Sequence, residues 1–346
     1  MTMPTRSWPT VGVAGARGVV GAVFLSILSD AGLPADRLRA FGREGGSVDY
    51  GPGRLPVEPL DEEAADQLDV LFLATDADAS RAIVAGPARR VPLVVDNSSA
   101  YRLDPQVPLV VPEANGRVLA NHRGNLVANP NCTTAACAVV LAPIQEAAGL
   151  ESVDLASYQA VSGAGRPGLD AFLAERSTTG REAASGSPFH GRIADSVVPQ
   201  IDSLDATGWS GEENKIMAEL RRILDAPTLD VAATAVRVPV HTGHSVALHL
   251  RVARDIGLEE LESVLRSAPG LEFRPADGSQ RHPMPLDVQG RDPVIVGRLR
   301  PIPGRQRAFG LFLTSDNLRK GAALNAIQVA ACADPARFSG LLPHPR

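Results

Sequence analysis

Cys132 stands in the segment ANPNCTTAACAVV, residues 128–140, directly after Asn131 and ahead of an alanine-rich run that predicts a helix. The first N–H groups of a helix have no partner within the helix, and the helix dipole adds partial positive charge there. A thiol at such a position loses its proton more easily than a thiol in water. The segment therefore predicts a nucleophilic cysteine at the start of a helix.

His244 is the best candidate for the proton acceptor or donor that this thiol needs. It lies in RVPVHTGHS, residues 237–245, where Gly243 gives the backbone extra freedom directly before it. Arg237 belongs to the same strand-like segment and offers a guanidinium fork for a carboxylate, next to an imidazole suited to acid–base work. Since Cys132 and His244 lie far apart in the sequence, a buried thiol and an unrelated loop histidine are the alternative.

The spacing of the histidines and cysteines predicts no metal site. His241 and His244 form an H-x-x-H pair, but no third ligand follows at a suitable spacing. The cysteines are Cys132, Cys137 and Cys332, and they include no C-x-x-C pair. Neither a disulfide framework nor a structural zinc site is expected.

The composition predicts a globular protein with neither nucleic-acid nor membrane partners. The chain has 346 residues, a net charge of −5 and 44% hydrophobic residues, which fits two domains. Lys and Arg are outnumbered and form no long basic run. No apolar stretch has the length of a membrane span, and the polar residues 1–10 leave no room for a secretory signal. A reducing, cytoplasmic location is therefore expected.

The first part of the chain alternates short apolar runs with helical patterns. The runs are Val11–Ala14, Leu38–Phe41, Val70–Ala74, Leu93–Val95, Leu109–Val111 and Leu126–Ala128. A helical pattern follows the first run and is stopped by Gly32 and Pro34. This alternation predicts a doubly wound α/β unit whose parallel strands are buried on both faces.

A glycine loop, Gly15, Gly18 and Gly21, lies between the first predicted strand and the first predicted helix. In that context a tight turn brings backbone N–H groups to a pyrophosphate at the helix N-terminus. The predicted cofactor contacts are Gly15, Arg17, Gly18, Val19 and Val20. Glycines that only allow close packing of strand and helix are the alternative.

The residues after the second predicted strand, Arg43 and Glu44, give conflicting indications about the cofactor. An arginine at this position suits the 2'-phosphate of NADP, whereas an acidic residue suits the free ribose hydroxyl of NAD. A solvated charge pair without a role in binding is the third interpretation.

The remainder of the chain predicts a second, α+β domain. Its predicted strands are residues 151–161, 229–240, 246–252, 293–300 and 309–314, and residues 177–192 predict a mobile loop. The closing stretch, residues 315–333, predicts a helix that begins near Asp316 and returns to the first domain. The expected division is a dinucleotide-binding domain (1–131), a catalytic domain (132–314) and a returning C-terminal helix (315–346); a dimerisation role for the second domain is implied only by the resemblance described next.

Several blocks of sequence, taken together in order, resemble aspartate-semialdehyde dehydrogenases from Val11 to Ala331. The blocks are VDNSSAYR (95–102), VPLVVPEAN (107–115), NPNCTT (129–134), YQAVSGAG (158–165), EENKIMAE (212–219), RVPVHTGHS (237–245), VGRLR (296–300) and SDNLRKGAALNA (315–326). The sister reductase of N-acetylglutamyl phosphate typically has Asn-Pro-Gly-Cys, so Asn131 favours the aspartyl enzyme.

The resemblance implies a Rossmann-type domain, a dimerisation domain and a reaction. Cys132 would attack L-4-aspartyl phosphate, and the thioester would take hydride from NADPH to give L-aspartate 4-semialdehyde for lysine, threonine and methionine biosynthesis. By the same resemblance, His244 is the acid–base group and Gln159 orients the acyl intermediate. Arg237 would bind the α-carboxylate of the substrate, and Glu212 its α-ammonium.

The remaining implied contacts concern phosphate and the nicotinamide. Arg102, Lys215 and Asn131 would hold the phosphate, while Ser162, Gly163 and Asn317 would approach the nicotinamide. Glu212 and Lys215 are three residues apart, so they share one face of a helix, and a surface ion pair is their alternative interpretation. The implied assembly is a homodimer or homotetramer.

The sequence departs from the family pattern where the cofactor is expected. Glu44, Asp76 and Asp78 add carboxylates near the expected phosphates, which disfavours NADP by Coulomb repulsion and keeps NAD open. Asp195 and Ser196 replace the usual Phe-Asn before VVPQID. A paralogue that reduces another acyl phosphate or acyl donor, and a non-catalytic dimer partner, are the alternative functions.

Overall fold

The computed structural model describes residues 8–276 and 282–343; residues 1–7 of the polar start, in which no secretory signal is expected, lie outside these ranges. The backbone divides into two compact units. The first is built from residues up to 112, 116–129 and residues from 322, and the second from residues 113–115 and 130–321. The domain boundaries expected from the sequence stay predictions, since compactness does not test which residues each function needs.

The strands of the described residues alternate with helices in the first unit and cluster in the second. The strands are β1 (Val11–Ala14), β2 (Leu38–Phe41), β3 (Gly46–Tyr50), β4 (Gly53–Glu58), β5 (Val70–Leu73), β6 (Val94–Asp96), β7 (Leu126–Ala128), β8 (Leu150–Gln159), β9 (Asp230–Arg237), β10 (His244–Val252), β11 (Leu271–Arg274), β12 (Val294–Pro301) and β13 (Ala308–Ser315). The helices are α1 (Val19–Asp30), α2 (Glu62–Asp66), α3 (Ala77–Ala85), α4 (Pro112–Asn115), α5 (Cys132–Ala148), α6 (Gly165–Arg176), α7 (Gly211–Ile223), α8 (Leu258–Ser267), α9 (Leu324–Ala333) and α10 (Pro335–Phe338).

The sheet of the first unit has the order β3-β4-β2-β1-β5-β6-β7 and is parallel except at one edge. There β3 pairs antiparallel with β4, so the expectation of parallel strands throughout is wrong at this edge. The hairpin was missed because only one of the five residues of β3 is buried, so the strand lacks the apolar run of a buried strand. The predicted strand Leu109–Val111 is reduced to a bridge between Leu109 and Ala128, because Pro112 begins α4 directly afterwards.

The core of the first unit lies between its sheet and helices α1 and α9. Phe24 of α1 stacks on Phe72 of β5 with ring centroids 4.9 Å apart, and Ile327 of α9 is buried in the same core. The closing helix begins later than predicted: β13 runs to Ser315, a π-helical turn spans Arg319–Ala323, and α9 begins at Leu324. The reason is local, since the carboxylate of Asp316 accepts the N–H groups of residues 318 and 319 and closes a turn there.

The sheet of the second unit has the order β11-β12-β13-β10-β8-β9. β8 runs parallel to β9 and antiparallel to β10, so the last residues of β8 and β9 and the first residue of β10 lie at one edge. The predicted alternation in β10 is confirmed, with Val246, Leu248 and Leu250 buried and His249 and Arg251 exposed. α5 packs on the sheet. Of the helices in the described ranges, none combines the length and apolar character that a membrane span requires.

Candidate active site

Cys132 is the first residue of α5, as the sequence predicts, and Asn131 caps this helix. The side-chain oxygen of Asn131 accepts the backbone N–H of Thr133 at 2.9 Å and that of Thr134 at 3.2 Å. Such a cap satisfies two of the N–H groups that a helix start leaves unpaired. The thiol is thereby held at the positive end of a 17-residue helix.

His244, the first residue of β10, faces this thiol. Its Nε2 lies 3.2 Å from Cys132 Sγ, and its Nδ1 accepts the backbone N–H of Ala160 at 3.0 Å. The imidazole is only 1% exposed. Burial, together with the positive charge of Arg237, holds the pKa of His244 well below its usual value, so the ring is neutral at physiological pH. The predicted pairing of thiol and imidazole is present.

Arg237, the last residue of β9, is a buried cation beside this pair. Its Nη1 donates to the carbonyl oxygen of Ala160 at 2.8 Å, and its guanidinium lies 5.9 Å from the ring centroid of Phe189. Gly163 lies close to both groups, since a Cβ on it would lie 2.7 Å from Arg237 Nη1 and 3.2 Å from His244 Cε1. Burial lowers the pKa of Arg237, although a guanidinium stays charged in proteins.

Glu212 is a hydrogen-bond acceptor shared by several polar side chains of the site. Its Oε1 accepts from Asn131 Nδ2 at 2.8 Å and from Gln159 Nε2 at 3.0 Å, and its Oε2 lies 3.5 Å from Lys215 Nζ. Glu212 is 5% exposed, so it is a buried carboxylate with oriented donors rather than half of a surface ion pair. The expectation that Glu212 and Lys215 share one helix face is confirmed on α7.

Two acidic residues that sequence reasoning missed complete this network. Asp202 Oδ2 accepts from Lys215 Nζ at 2.5 Å, and Glu219 Oε2 accepts the backbone N–H of Asn131 at 2.7 Å. Glu219 is fully buried. Its spacing of seven residues from Glu212, two helical turns, was an available sign that both carboxylates lie on one face of α7.

Ser162 and Asn317 form a second polar cluster in the same unit. Asn317 Nδ2 donates to Ser162 Oγ at 3.0 Å, and Asn317 Oδ1 accepts the backbone N–H of Gly243 at 2.9 Å. Gly243 has a φ of 101°, and a Cβ there would lie 2.9 Å from the carbonyl oxygen of Pro285. Asn317 lies between the end of β13 and the π-helical turn, and not in the returning helix that was predicted to begin near Asp316.

The predicted residues divide between the two units. The second unit brings together the following: Cys132, His244, Gln159, Asn131, Glu212, Lys215, Arg237, Ser162, Gly163 and Asn317. The first unit contains Arg102 and the glycine-loop residues. Arg102 is buried and donates to the carbonyl oxygens of Asn129 and Asn97 at 2.9 and 2.7 Å. Its guanidinium is thus held by backbone within its own unit.

The glycine loop of the first unit fits a dinucleotide. Gly15 has a φ of 79°, and a Cβ there would lie 2.3 Å from the carbonyl oxygen of Ala74, so the loops after β1 and β5 meet closely. These two strands lie where the strand order reverses, the place at which such sheets bind nucleotides. Gly18 caps α1 without a side chain, which leaves the helix N-terminus accessible to phosphate. Asn97 Oδ1, just past β6, is a buried acceptor that has no hydrogen-bond partner among residues 8–276 and 282–343.

The charges around this loop are paired with one another. Arg17 Nη1 lies 3.6 Å from Glu44 Oε2, and Arg43 Nη2 lies 3.8 Å from Asp76 Oδ2. All four side chains are more than half exposed, so each attraction is weak and screened by salt. Asp76 also caps α3 by accepting the N–H of residue 79 at 2.8 Å. Neither arginine therefore presents an unopposed charge.

The described residues hold no group of three or more His, Cys, Asp or Glu side chains placed to bind a metal ion. His241, the other histidine of the H-x-x-H pair, hydrogen-bonds the hydroxyl of Thr242 through Nδ1 at 2.9 Å.

The three cysteines are expected to react with iodoacetamide at three different rates near neutral pH. Cys132, at the helix start, should be labelled fastest, and the exposed Cys332 should react as an ordinary thiol. Cys137 is fully buried, and burial raises the pKa of its thiol to about 12, so it should react only after unfolding. Peptide mass spectrometry of timed samples measures all three, with Cys332 as the internal control. Equal rates at Cys132 and Cys332 would contradict an activated Cys132.

Comparison with known proteins gives the family. Residues 10–122 match the family model described as "Semialdehyde dehydrogenase, NAD binding domain", and residues 141–320 match "Semialdehyde dehydrogenase, dimerisation domain". The aspartate-semialdehyde dehydrogenase of Bacillus subtilis (strain 168) is 36% identical over 332 residues, which cover 92% of this chain and 96% of that protein. That of Streptomyces akiyoshiensis is 38% identical over 338 residues, with 92% and 97% covered.

Solved structures of aspartate semialdehyde dehydrogenases have the same fold as this chain. The crystal structure of aspartate semialdehyde dehydrogenase II complexed with ASA from Vibrio cholerae has a TM-score of 0.87 and 32% identity, and the match covers 94% of this chain and 98% of that chain. The enzyme with NADP from Candida albicans has a TM-score of 0.69 at 24% identity over 95% and 99% of the chains, which shows the shared fold alone. The predicted Rossmann-type domain with an α+β dimerisation domain is confirmed. The chain is an oxidoreductase that belongs to the aspartate-semialdehyde dehydrogenase family.

Proposed function

We propose that this chain reduces L-4-aspartyl phosphate to L-aspartate 4-semialdehyde, with release of phosphate, in lysine, threonine and methionine biosynthesis. The observation that carries the proposal is the contact of 3.2 Å between Cys132 Sγ and His244 Nε2 at the start of α5. A buried guanidinium, Arg237, and a buried carboxylate, Glu212, lie in the same unit. This set supports attack by sulfur on an amino acid derivative.

In the proposed reaction, Cys132 Sγ forms a bond to the acyl carbon as the bond from that carbon to the phosphate oxygen breaks. The product is a thioester on Cys132 and free phosphate. When bound, the nicotinamide cofactor supplies the hydride that reduces the thioester carbon. The carbon–sulfur bond then breaks, which releases the aldehyde and regenerates the cysteine. His244 Nε2 stays beside the sulfur in every step.

The charged residues of the site support recognition of an aspartyl group. Arg237 suits the α-carboxylate because a guanidinium fork binds carboxylates through two parallel hydrogen bonds. Glu212 suits the α-ammonium, and its two amide donors, Asn131 and Gln159, fix its orientation. Lys215 and Arg102 are proposed for the phosphate. Because both Asn131 side-chain atoms are already bonded, we propose that Asn131 positions Glu212 and the helix rather than carrying the phosphate charge.

The test is phosphate-dependent reduction of NADP by the purified protein with L-aspartate 4-semialdehyde, run in parallel with NAD. Turnover that requires both aldehyde and phosphate is the expected result. Folded protein without turnover on either cofactor would overturn the proposal, and other semialdehydes would then be the substrates to screen.

For the cofactor, we propose NADP, with NAD accepted because Glu44 opposes the 2'-phosphate. Glu44→Ser removes the carboxylate that lies 3.6 Å from Arg17, so the ratio of kcat/KM for NADP to that for NAD should rise. The rise should be no more than about fivefold, since the pair is exposed. Asp49→Ser removes an exposed carboxylate of the β3 strand that pairs with Arg54 and is the matched control for net charge. An unchanged ratio in the Glu44 variant would contradict this assignment.

We propose that the chain is a homodimer or homotetramer in the cytoplasm. The second unit matches a dimerisation domain, and the outer face of its sheet carries an exposed aromatic side chain, Tyr158, in ring contact with Phe312. None of the three cysteines, all within the described residues, forms a disulfide, which supports a reducing compartment. Light scattering on the purified protein gives the number of subunits.

A further inference from the structure

Asp202 lies in the loop before α7 and has a backbone conformation that few side chains adopt. Its φ is 66°, in the left-handed region, where aspartate and asparagine are tolerated better than most other non-glycine residues. Gln200 Nε2 donates to the carbonyl oxygen of Asp202 at 3.1 Å, and the N–H of Gly211 donates to that of Ser203 at 2.9 Å. A Cβ on Gly211 would lie 3.1 Å from Asp202 Cβ, so the start of α7 packs on this aspartate. A residue held in a strained conformation by its surroundings indicates a function for its side chain.

The carboxylate of Asp202 is one of two that contact the ammonium of Lys215. Asp202 Oδ2 lies 2.5 Å from Lys215 Nζ, and Glu212 Oε2 lies 3.5 Å from it. The Glu212 side chain is 7% exposed, whereas that of Asp202 is 48% exposed and that of Lys215 is 31% exposed. The contact with Asp202 is therefore open to water and to a dissolved anion. An ion pair exposed to this degree is weak, so an anion of higher charge can replace its carboxylate.

The charges of this network disfavour an anionic ligand as long as all of them are present. Within the described residues of the network, the cations Arg237 and Lys215 are accompanied by the carboxylates of Glu212, Glu219 and Asp202. Burial lowers the pKa of Arg237, and the charges of Glu212 and Asp202 oppose that shift, so the field of Asp202 extends to both cations. L-4-aspartyl phosphate carries a carboxylate and a phosphate against one ammonium. Its phosphate therefore gains most where it replaces a carboxylate.

We propose that Asp202 is a positioning residue that competes with phosphate for the ammonium of Lys215. The inference rests on the proposed function, in which Lys215 binds the phosphate, and it names the group that phosphate displaces. No covalent bond changes in this exchange: the hydrogen bond from Nζ to Asp202 Oδ2 is replaced by one from Nζ to a phosphate oxygen, and the carboxylate turns to water. Glu212 keeps its contact with Lys215 throughout. When phosphate leaves as a product, Asp202 takes the ammonium back and so favours its release.

The test is the affinity for inorganic phosphate, measured as the concentration that half-protects Cys132 from iodoacetamide at constant ionic strength. Asp202→Asn removes the charge, keeps the shape and tolerates the positive φ. The half-protecting concentration should fall by about fivefold, the upper range for one exposed ion pair. Damage to the loop can only weaken phosphate binding, so a higher or unchanged concentration, or no protection in either protein, would overturn the inference. The measurement needs no turnover, so its failure is distinct from failure of the proposed function.

Asp225→Asn is the matched control for Asp202→Asn. Asp225 also has a positive φ, 49°, but it follows the other end of α7, so the same change in net charge should leave phosphate protection unchanged. In a Lys215→Met background, Asp202→Asn should alter phosphate affinity by less than about twofold, because the two residues then no longer interact. A fivefold effect that persists in this background would assign it to charge at a distance and overturn the exchange.

The phosphate-dependent assay gives a second readout of the same exchange. In Asp202→Asn, KM for phosphate should fall by the same factor of about five, while KM for L-aspartate 4-semialdehyde should stay within about twofold. Equal changes in both KM values would contradict a role specific to phosphate.

Discussion

Cys132→Ser is expected to lower kcat by about 10⁴-fold or more, the scale on which loss of a catalytic nucleophile acts. A serine hydroxyl forms its anion far less readily than a thiol, and the helix start and His244 cannot make up that difference. The substitution leaves the glycine loop untouched, so the dissociation constant for cofactor should stay within about twofold of the original. The phosphate-dependent assay gives kcat, and calorimetric titration with NADP gives the dissociation constant.

Cys332→Ser is the matched control for Cys132→Ser. Cys332 is an exposed thiol of α9 in the first unit, so the same chemical change there should leave kcat within about twofold. Substantial residual turnover in Cys132→Ser, with the control intact, would remove Cys132 from the role of nucleophile.

Gly321→Ala is the second substitution expected to have a large effect, although it removes no functional group. A Cβ at Gly321 would lie 2.7 Å from Cys132 Cβ, closer than such atoms can approach, and 3.1 Å from Cys132 Cα. Neither neighbour is the end of a flexible side chain, so the start of α5 or the π-helical turn must shift. A displacement of about 1 Å at a reacting atom costs about a hundredfold in rate. We therefore expect kcat to fall by about two orders of magnitude.

The matched control for Gly321→Ala is Gly191→Ala, because no heavy atom of the described residues lies within 4 Å of the added methyl group there. Its kcat should be unchanged. Thermal unfolding of each variant separates misplacement from instability: overpacking costs about 1–3 kcal/mol, which leaves the variant folded at assay temperature. A Gly321→Ala enzyme with undiminished kcat would show that the contact with Cys132 does not govern its position.

The features of the site that depend only on residues close in the sequence could be predicted from the sequence. Cys132 begins a helix because an asparagine cap precedes an alanine-rich run, and both are visible in the chain. β10 alternates between buried and exposed residues because one face of its sheet is covered. Gly15 and Gly243 have positive φ values in the structure, and their residue type already indicated this freedom.

The parts that depend on long-range contacts could not be predicted in this way. Glu219 reaches a backbone N–H 88 residues away, and nothing in its own neighbourhood indicates that partner. His244 Nδ1 accepts the backbone N–H of Ala160, whose side chain takes no part, so no residue type indicates this contact. The helix predicted to begin near Asp316 begins only at Leu324, after the π-helical turn at Arg319–Ala323. Hydrophobic periodicity could not show this difference, because it does not distinguish one irregular turn from regular helix.

The hydrogen bonds of Asn131 constrain how this site can evolve. Its side chain bonds the helix and Glu212, and its backbone bonds Glu219, so one residue is shared by three interactions. A substitution at position 131 would remove the cap of α5 and one of the side-chain donors of Glu212 at once, and each such loss is costly. The acceptable residues at 131 and 212 are therefore contingent on one another. Divergence toward another acyl phosphate would need coordinated replacements on α5 and α7, and single steps would be selected against.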